Sequence, residues 1–441
     1  MHIAKIEIEN VRSLGKLSWA VPEGRSTGWH VILGDNGAGK SSFLKSICLA
    51  LVGASEAGAL RQPWGDWLTR GQDSGRIALE LGWDADFDNF SGKGMTPNAG
   101  SLLPIEVEFE RIKDAASPHV ELKNIETSPS PTRHIWNGGK GWFAASYGPF
   151  RRFTGGDPQT EKMFYSVPRL ARHLSLFDER VALTECLDWL KSLKFKELEN
   201  DTQDGVADPE GSLLGKVRRF LNGSGFLPAN VTLGTVNSDA VTFNDANGVD
   251  VPVEELSDGY RSVLSMTFEL IRQLSSQFGA ENVFSEEDPT IILPSGVVVI
   301  DEIDAHLHPT WQRRIGQWFC DHFPNVQFIV STHSPLVCQS AENGSIFMLP
   351  EAGTDDKPRM LGATEFNRLV FGNVLEAYGT DAFGGETALT RSDESKKKHS
   401  RLAELNNKEI VKRLSEEEKT EQEQLRLILP TVGSTMAREK E

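Results

Sequence analysis

At 441 residues, with 39% hydrophobic and 25% charged residues, the chain has a globular composition with a sizeable core, and room for two or three domains. Its formal net charge of −17 argues against a protein that coats nucleic acid over its whole surface, so any DNA contact needs a local basic face. Four scattered cysteines (Cys48, Cys186, Cys320, Cys338) in apolar surroundings read as free thiols of a reducing cytosol rather than disulfides or a metal site.

The first stretch, "MHIAKIEIEN", has neither the cationic segment nor the apolar run of a secretory signal. No stretch approaches the roughly 18 apolar residues of a membrane span, so the expected location is the cytoplasm. Ala4, Ile6 and Ile8 alternate with Lys5, Glu7 and Glu9, the pattern of a half-buried strand. "GWHVILG" predicts a second strand that runs into a glycine-rich turn and the helical "SSFLKSICLALVG". Two more alternating strands follow, around Ile77–Leu79–Leu81 and Ile105–Val107–Phe109, with a Gly/Asn/Asp-rich loop over 84–101 between them. "GWFAASYGPFRRFTGGD" reads as a short apolar strand and a basic turn, and 161–228 turns helical, with amphipathic pieces over 176–198 and 213–221. Strand and hairpin patterns return over 231–256, with Asn247-Gly248 at a turn. A long helix then follows Ser257, and the strands "VVVI", "VQFIV" and "SIFM" come next. After about residue 381 the chain is polar and charged, and "HSRLAELNNKEIVKRLSEEEKTEQEQLRLILP" predicts two helices, the second starting at Ser415. Leu402, Leu405, Ile410 and Leu414 are positioned to meet Leu425, Leu427 and Leu429 as a hairpin seam.

The chemistry concentrates in short motifs. "GDNGAGKSS" at 34–42 matches G-x-x-x-x-G-K-[ST] between a strand and a helix. Gly34, Asn36, Gly37 and Gly39 would let backbone N–H groups turn toward a phosphate, and the helix start adds its positive end. Lys40 would reach the β- and γ-phosphates, Ser41 would ligate Mg²⁺, and Ser42 follows in the same turn. The predicted ligands are therefore ATP and Mg²⁺. In "VVVIDEIDAHLHP" at 297–309, apolar residues lead straight into carboxylates and histidines. A metal reading would use Asp304, His306, His308 and His333, but the spacing fits no strong zinc pattern. With a phosphate loop upstream, Asp301 is expected to hold Mg²⁺ and Glu302 to polarise the attacking water. Neighbouring carboxylates on a strand face opposite ways and so suit two different tasks.

"LSDGYRS" at 256–262 precedes an apolar-periodic helix that Ser257 would cap, and Gly259 would let a phosphate approach the backbone. In a chain with both preceding motifs, this segment resembles the signature of ABC-type ATPases. "IEIENVRSLGKL" at 6–17 and "DEIDAHLHP" at 301–309 resemble the SMC/RecF/OLD-like branch rather than transporter cassettes, which usually carry a glutamine where Tyr260 stands. The segment 366–384 and the charged hairpin after it resemble ATPase subunits of prokaryotic anti-phage systems of the Septu or retron-associated type. The resemblance implies an α/β fold: an ABC-type ATPase head with a P-loop α/β lobe and an antiparallel β lobe, split as 1–160 and 229–380. A helical insert over 161–228 replaces the long coiled coil of SMC proteins, and 381–441 is a helical tail. It further implies that Ser257 and Gly259 contact the γ-phosphate of ATP held by a second copy, so the chain forms a homodimer or higher oligomer around ATP. His333 would be the switch histidine, Arg12 would reach toward nucleotide, and His306 and His308 would be structural or seam residues. No glutamine is assigned to the Q-loop, whose place falls near 147–152.

Neither a Toprim acid set nor a His-Asn-His arrangement is present, so nucleic-acid cleavage would require a separate effector, a nuclease in this reading. Nucleic-acid contact has candidates in Arg151, Arg152, Arg169 and Arg172, and in Lys216, Arg218 and Arg219. The expected function is thus an ATP-binding and hydrolysing subunit of an anti-phage complex with no membrane partner. A RecF-like repair ATPase is the alternative, and a transporter cassette is disfavoured by the "HLHP" element and Tyr260.

Overall fold

A computed structural model describes residues 1–84, 86–88, 100–113, 117–136, 142–153, 167–201, 209–227, 231–245, 247–354, 356–383, 393–411 and 414–429. Most of the expected loop at 84–101, the first residues of the helical insert and the chain after 429 lie outside them. The described chain forms two compact units, Met1–Val374 and Leu375–Glu441.

The first unit is layered. Strands β1 (His2–Val11) and β2 (Leu14–Ala20) form a hairpin; β3 (Gly28–Leu33) then leads through the phosphate loop into helix α1 (Lys40–Val52). Strands β4 (Ser74–Gly82), β5 (Leu103–Ile112) and β6 (His119–Ile125) complete an antiparallel sheet in the order β2-β1-β4-β5-β6. In β1 the pairing with β4 shifts between Ile3 and Lys5. Ile3, not Ala4, therefore joins Ile6 and Ile8 on the buried face. The extra residue of a bulge resets the period of two that the sequence pattern assumed.

Strand β7 (Ala144–Tyr147) precedes the helical insert, whose longer helices are α2 (Glu185–Asp201) and α3 (Pro209–Gly223). Helix α2 starts later than the apolar period suggested, because Leu183 N–H bonds the Arg152 carbonyl at 2.8 Å and holds that stretch out of helix. The three strands β8 (Thr232–Val236), β9 (Val241–Asn244) and β10 (Asp250–Pro252) form a small antiparallel sheet. Gly248 turns the last hairpin at φ 78°. Helix α4 (Asp258–Phe278) follows, then β11 (Gly296–Ile300), helix α5 (Pro309–His322), β12 (Val326–Ser331), β13 (Ser345–Met348), β14 (Arg359–Met360) and helix α6 (Ala363–Phe371).

The second sheet runs β14-β13-β3-β12-β11-β7. Its pairs from β13 through β7 are all parallel. All five residues of β11 and all six of β12 are buried, as expected of strands covered on both faces. Helix α1 is apolar nearly all round: its Phe43, Leu44, Ile47 and Leu51 share one core cluster with Ile6 and Leu79 of the antiparallel sheet and Val297 and Ile329 of the parallel sheet. Such a helix is held by burial, at about 1.5–3 kcal/mol per large apolar side chain, rather than by helix propensity. This sandwich of a mainly parallel sheet, helix α1 and an antiparallel sheet is the α/β layout of two lobes expected from the sequence. No single helix among the described residues is long and apolar enough to cross a membrane.

In the second unit, helices α7 (Asp393–Val411) and α8 (Glu416–Ile428) form the expected hairpin. Leu402, Leu405, Leu414 and Leu425 make its seam, with Leu429 packed against it. Ile410 and Leu427 do not join: they are 83% and 78% exposed. A two-helix seam has only one apolar stripe, and these residues fall on the opposite faces of their helices.

Candidate functional site

The parallel sheet gathers the site. Strands β3, β12, β11 and β7 lie side by side, and the carboxyl end of each carries one motif: the phosphate loop, "STHSP", "DEID" and the turn "GPFRR". Open α/β sheets bind ligands at this edge.

In the phosphate loop, Gly39 has φ 97°, and a Cβ there would lie 2.8 Å from Leu14 and 2.9 Å from the Ser13 hydroxyl. Only glycine fits both the left-handed backbone and the close approach of the β1–β2 turn. Gly39 is also the N-cap of α1 and supplies no side-chain acceptor. The N–H groups of the first turn, with Lys40, Ser41 and Ser42, are thus placed at the positive end of the helix dipole, an arrangement able to hold an anion. The Lys40 ammonium donates to the carbonyls of Gly34 at 2.8 Å and Asp35 at 3.1 Å. Burial pushes its pKa down, against the pull of the nearby carboxylates, Asp301 foremost and then Glu302, Asp35 and Asp304.

Strand β11 stops at Ile300, and Glu302 adopts φ 48°. The two carboxylates are thus separated by a backbone kink, not by the strand alternation expected from sequence. Asp301 is buried, and one of its oxygens accepts the Ser331 hydroxyl at 2.5 Å. The same hydroxyl accepts the Glu302 N–H at 2.8 Å. Next along, the Thr332 hydroxyl donates to Asp304 at 2.6 Å. One serine and one threonine at the end of β12 thereby tie the acidic loop to the segment carrying His333, which is exposed. His308 is a helix cap: its ring accepts the Thr310 N–H at the start of α5. His306 is exposed at φ 65°.

Ser257 occupies the N-cap of α4, but its hydroxyl makes no capping bond, contrary to expectation. Its backbone carbonyl accepts the Arg261 N–H at 3.0 Å, the first bond of the helix, and the residue is exposed. A Cβ on Gly259 would lie 2.8 Å from the His306 carbonyl, so the glycine permits α4 to abut the loop after Asp304. A cleft of about 260 Å³ opens there, lined by Ser257, Gly259, Tyr260, His306, His308 and Trp311 among others.

Arg12 stacks its guanidinium 4.2 Å from the centre of the Trp67 ring, and its Nε is buried with no hydrogen-bond partner among the described residues. It sits beside the β1–β2 turn that touches Gly39. Three of the arginines expected on a nucleic-acid face are structural instead. Arg169 pairs with Glu56 and bonds the Ile135 and Trp136 carbonyls. Arg172 lies over the Phe143 ring at 5.2 Å and bonds Gln277. Arg151 is 5% exposed and points into the acidic loop. Arginine after an apolar strand reads as surface charge in sequence, and only the packing of α4 against the sheet edge shows otherwise. Arg152 is exposed, and on α3 Arg219 is exposed with Lys216 and Arg218 half-buried. Sequence reasoning gave Arg151 to a nucleic-acid face and assigned Ser331 no role, yet both bond the acidic loop. Their position at the same sheet edge as the motifs was the available signal.

The model of a family described as "AAA domain, putative AbiEii toxin, Type IV TA system" matches residues 111–339, and one described as "AAA domain" matches residues 5–138. The chain is 27% identical over 353 residues to "Septu protein PtuA" of Bacillus mycoides (strain KBAB4), covering 79% of this chain and 40% of that protein. It is 25% identical over 412 residues to "Retron Ec83 probable ATPase" of Escherichia coli, covering 79% of this chain and 71% of that one. The chain thus spans less than half the length of the first relative. Among solved structures, it is similar to an Smc head domain with an extended coiled coil bound to the C-terminal domain of ScpA, from Pyrococcus furiosus. That likeness has a TM-score of 0.45 at 15% identity, over 84% of this chain and 98% of that one. The recombination mediator RecF gives a TM-score of 0.38 at 12% identity, over 82% and 98% of the two chains.

Proposed function

From the premise that the chain belongs to this AAA-domain family, we propose that it binds and hydrolyses ATP between two copies of itself, as the motor subunit of an anti-phage complex. The observation that carries the reading is the convergence of phosphate loop, acidic loop and switch segment on adjacent ends of parallel strands. The α1 N-terminus and Lys40 hold the phosphates. Ser41 and Asp301 supply the hydroxyl and carboxylate donors that suit Mg²⁺, an ion that takes oxygen ligands and would offset charge on the β- and γ-phosphates. Asp301 keeps an oxygen free of the Ser331 bond, so the donor set fits such an ion. Glu302 orients the attacking water, and His333 contacts the γ-phosphate from the neighbouring strand end.

The cleft at Ser257 and Gly259 has no lining residue from 34–42. The signature segment therefore takes its phosphate from a second copy, arranged head to tail. The similarity to Septu and retron ATPases supports control of a separate effector, a nuclease in this reading. The direct test is ATP turnover by purified protein beside its Lys40→Ala variant, and phage plating on cells that carry the neighbouring genes. Turnover that survives Lys40→Ala, or defence indifferent to it, overturns the reading.

A further inference from the structure

Arg151 is a buried cation with an unusual set of partners. Its Nε donates to the Ser262 hydroxyl at 2.9 Å, and Nη1 donates to the carbonyls of Gly148 at 3.1 Å and Asp301 at 2.9 Å. Nη2 donates to the Glu302 carbonyl at 3.0 Å. Among the described residues none of these contacts is an ion pair; Asp301, Asp304 and Glu302 act on the guanidinium only through space, and burial pushes its pKa down to about 10. A buried charge is costly unless its hydrogen bonds are well made. Here a planar fork with fixed donor directions reaches three segments at once, which an ammonium on a flexible stem does not do.

Two of those segments matter for chemistry. Glu302 has φ 48°, a left-handed backbone that non-glycine residues seldom adopt and that persists only where the surroundings hold it. Its N–H is held by Ser331 at 2.8 Å and its carbonyl by Arg151 at 3.0 Å. The residue is clamped at both ends, and the clamp fixes the direction in which its Cα–Cβ bond, and so its side chain, leaves the backbone. The other is α4, through Ser262, little more than one turn from the Ser257 and Gly259 end that faces the cleft.

We propose that Arg151 is a positioning residue for ATP hydrolysis: it holds Glu302 in its left-handed conformation and links that conformation to helix α4 through Ser262. The proposal rests on the reading of the site as an ATPase. Engagement of α4 by a second copy's phosphate then reaches Glu302 through a single side chain, and hydrolysis waits on dimer formation without any change in the phosphate loop.

The test compares wild type with Arg151→Lys, Ser262→Ala, Glu302→Gln and Arg151→Lys/Glu302→Gln by single-turnover hydrolysis, affinity for a fluorescent ATP analogue, and melting temperature. Arg151→Lys keeps the charge but loses the fork, so hydrolysis is expected to fall by about ten- to hundredfold from misplacement of Glu302. ATP affinity stays within about twofold, because the phosphate loop is untouched. Ser262→Ala removes one bond and is expected to slow hydrolysis by about two- to fivefold. Arg151→Lys adds no further loss in the Glu302→Gln background if it acts through that carboxylate. Three results overturn the proposal alone: a wild-type rate in folded Arg151→Lys, a multiplicative loss in the double variant, or a loss of affinity in place of rate. If Arg151→Lys does not fold, Ser262→Ala decides, and an unchanged rate there overturns the link. A wild-type chain without ATPase activity overturns the underlying reading and this proposal with it.

Discussion

Lys40 is held among polar groups of its own loop, donating to the Gly34 and Asp35 carbonyls. In the proposed function the same ammonium donates to the β- and γ-phosphate oxygens. A hydrogen bond to a charged group contributes about 1.5–3 kcal/mol, and each 1.4 kcal/mol is about tenfold in affinity. Lys40→Ala is therefore expected to weaken ATP binding by about tenfold to over a hundredfold in a folded protein, measured by titration with a fluorescent analogue. Unchanged affinity would remove Lys40 from the site. Glu302 poses the opposite case. Asp301 is held by the Ser331 hydroxyl, which bonds Glu302 only through its backbone N–H, so in the proposed function Glu302→Gln leaves the acidic Mg²⁺ donor in place and removes only the group that orients water. Hydrolysis should fall by about 10²–10⁴-fold, the usual range for a general base, while ATP stays bound and the dimer lives longer. Trapped nucleotide, counted after rapid desalting, checks this; release of ATP as fast as from wild type would assign the water to another group.

At the scale of elements, what sequence shows depends on whether the signal is local. The strand–loop–helix at 28–52 and the strand leading to Asp301 were legible because motif, apolar run and glycine placement all act within a few residues. The tail hairpin was legible for the same reason: Ser415 caps α8, and Glu418 closes a capping box with it. Strand β6 was not legible, since "HVELKNI" has polar residues at most positions and is half-buried through its pairing with β5. The bulge at Ala4 and the left-handed Glu302 also escaped, because both are set by partners distant in sequence. The half-burial of Arg169 and Arg172 belongs with them: single-sequence charge says nothing about which part of the fold lands on it. A cap prediction belongs to this scale. Ser415→Ala removes the bond to the Glu418 N–H, which should cost about 0.5–2 kcal/mol. In a hairpin with so few seam leucines, that should raise amide exchange across 415–429 by about two- to thirtyfold, with ATP turnover unchanged. Unaltered exchange would show that the leucine seam alone holds the helix.

Two compact units, Met1–Val374 and Leu375–Glu441, divide the whole molecule in a way that separates its two expected tasks. All motif residues lie in the first unit, so deleting 392–441 should leave ATP affinity intact while a bound effector or a higher oligomer is lost, read by light scattering and pull-down. An unchanged assembly would move the partner surface to the first unit. The composite site is the sharper question. Ser257 and Gly259 face a cleft without a phosphate-loop residue, and the Ser257 hydroxyl makes no capping bond; in the proposed function each chain therefore carries two half-sites that a second copy completes. Ser257→Arg should block turnover by filling the place of the second copy's γ-phosphate, and Lys40→Ala should block it at the other half. In a heterodimer of the two, one site joins the intact phosphate loop of the Ser257→Arg chain to the intact signature of the Lys40→Ala chain, and the other site carries both lesions. With random mixing, half the dimers have one working site of two, and independent sites then restore about a quarter of the wild-type rate. Turnover of the mixture against each variant alone measures this. Strict coupling between the two sites would give less, and a rate of zero where differently tagged chains demonstrably copurify would rule out the shared site, leaving each chain to hydrolyse its own ATP.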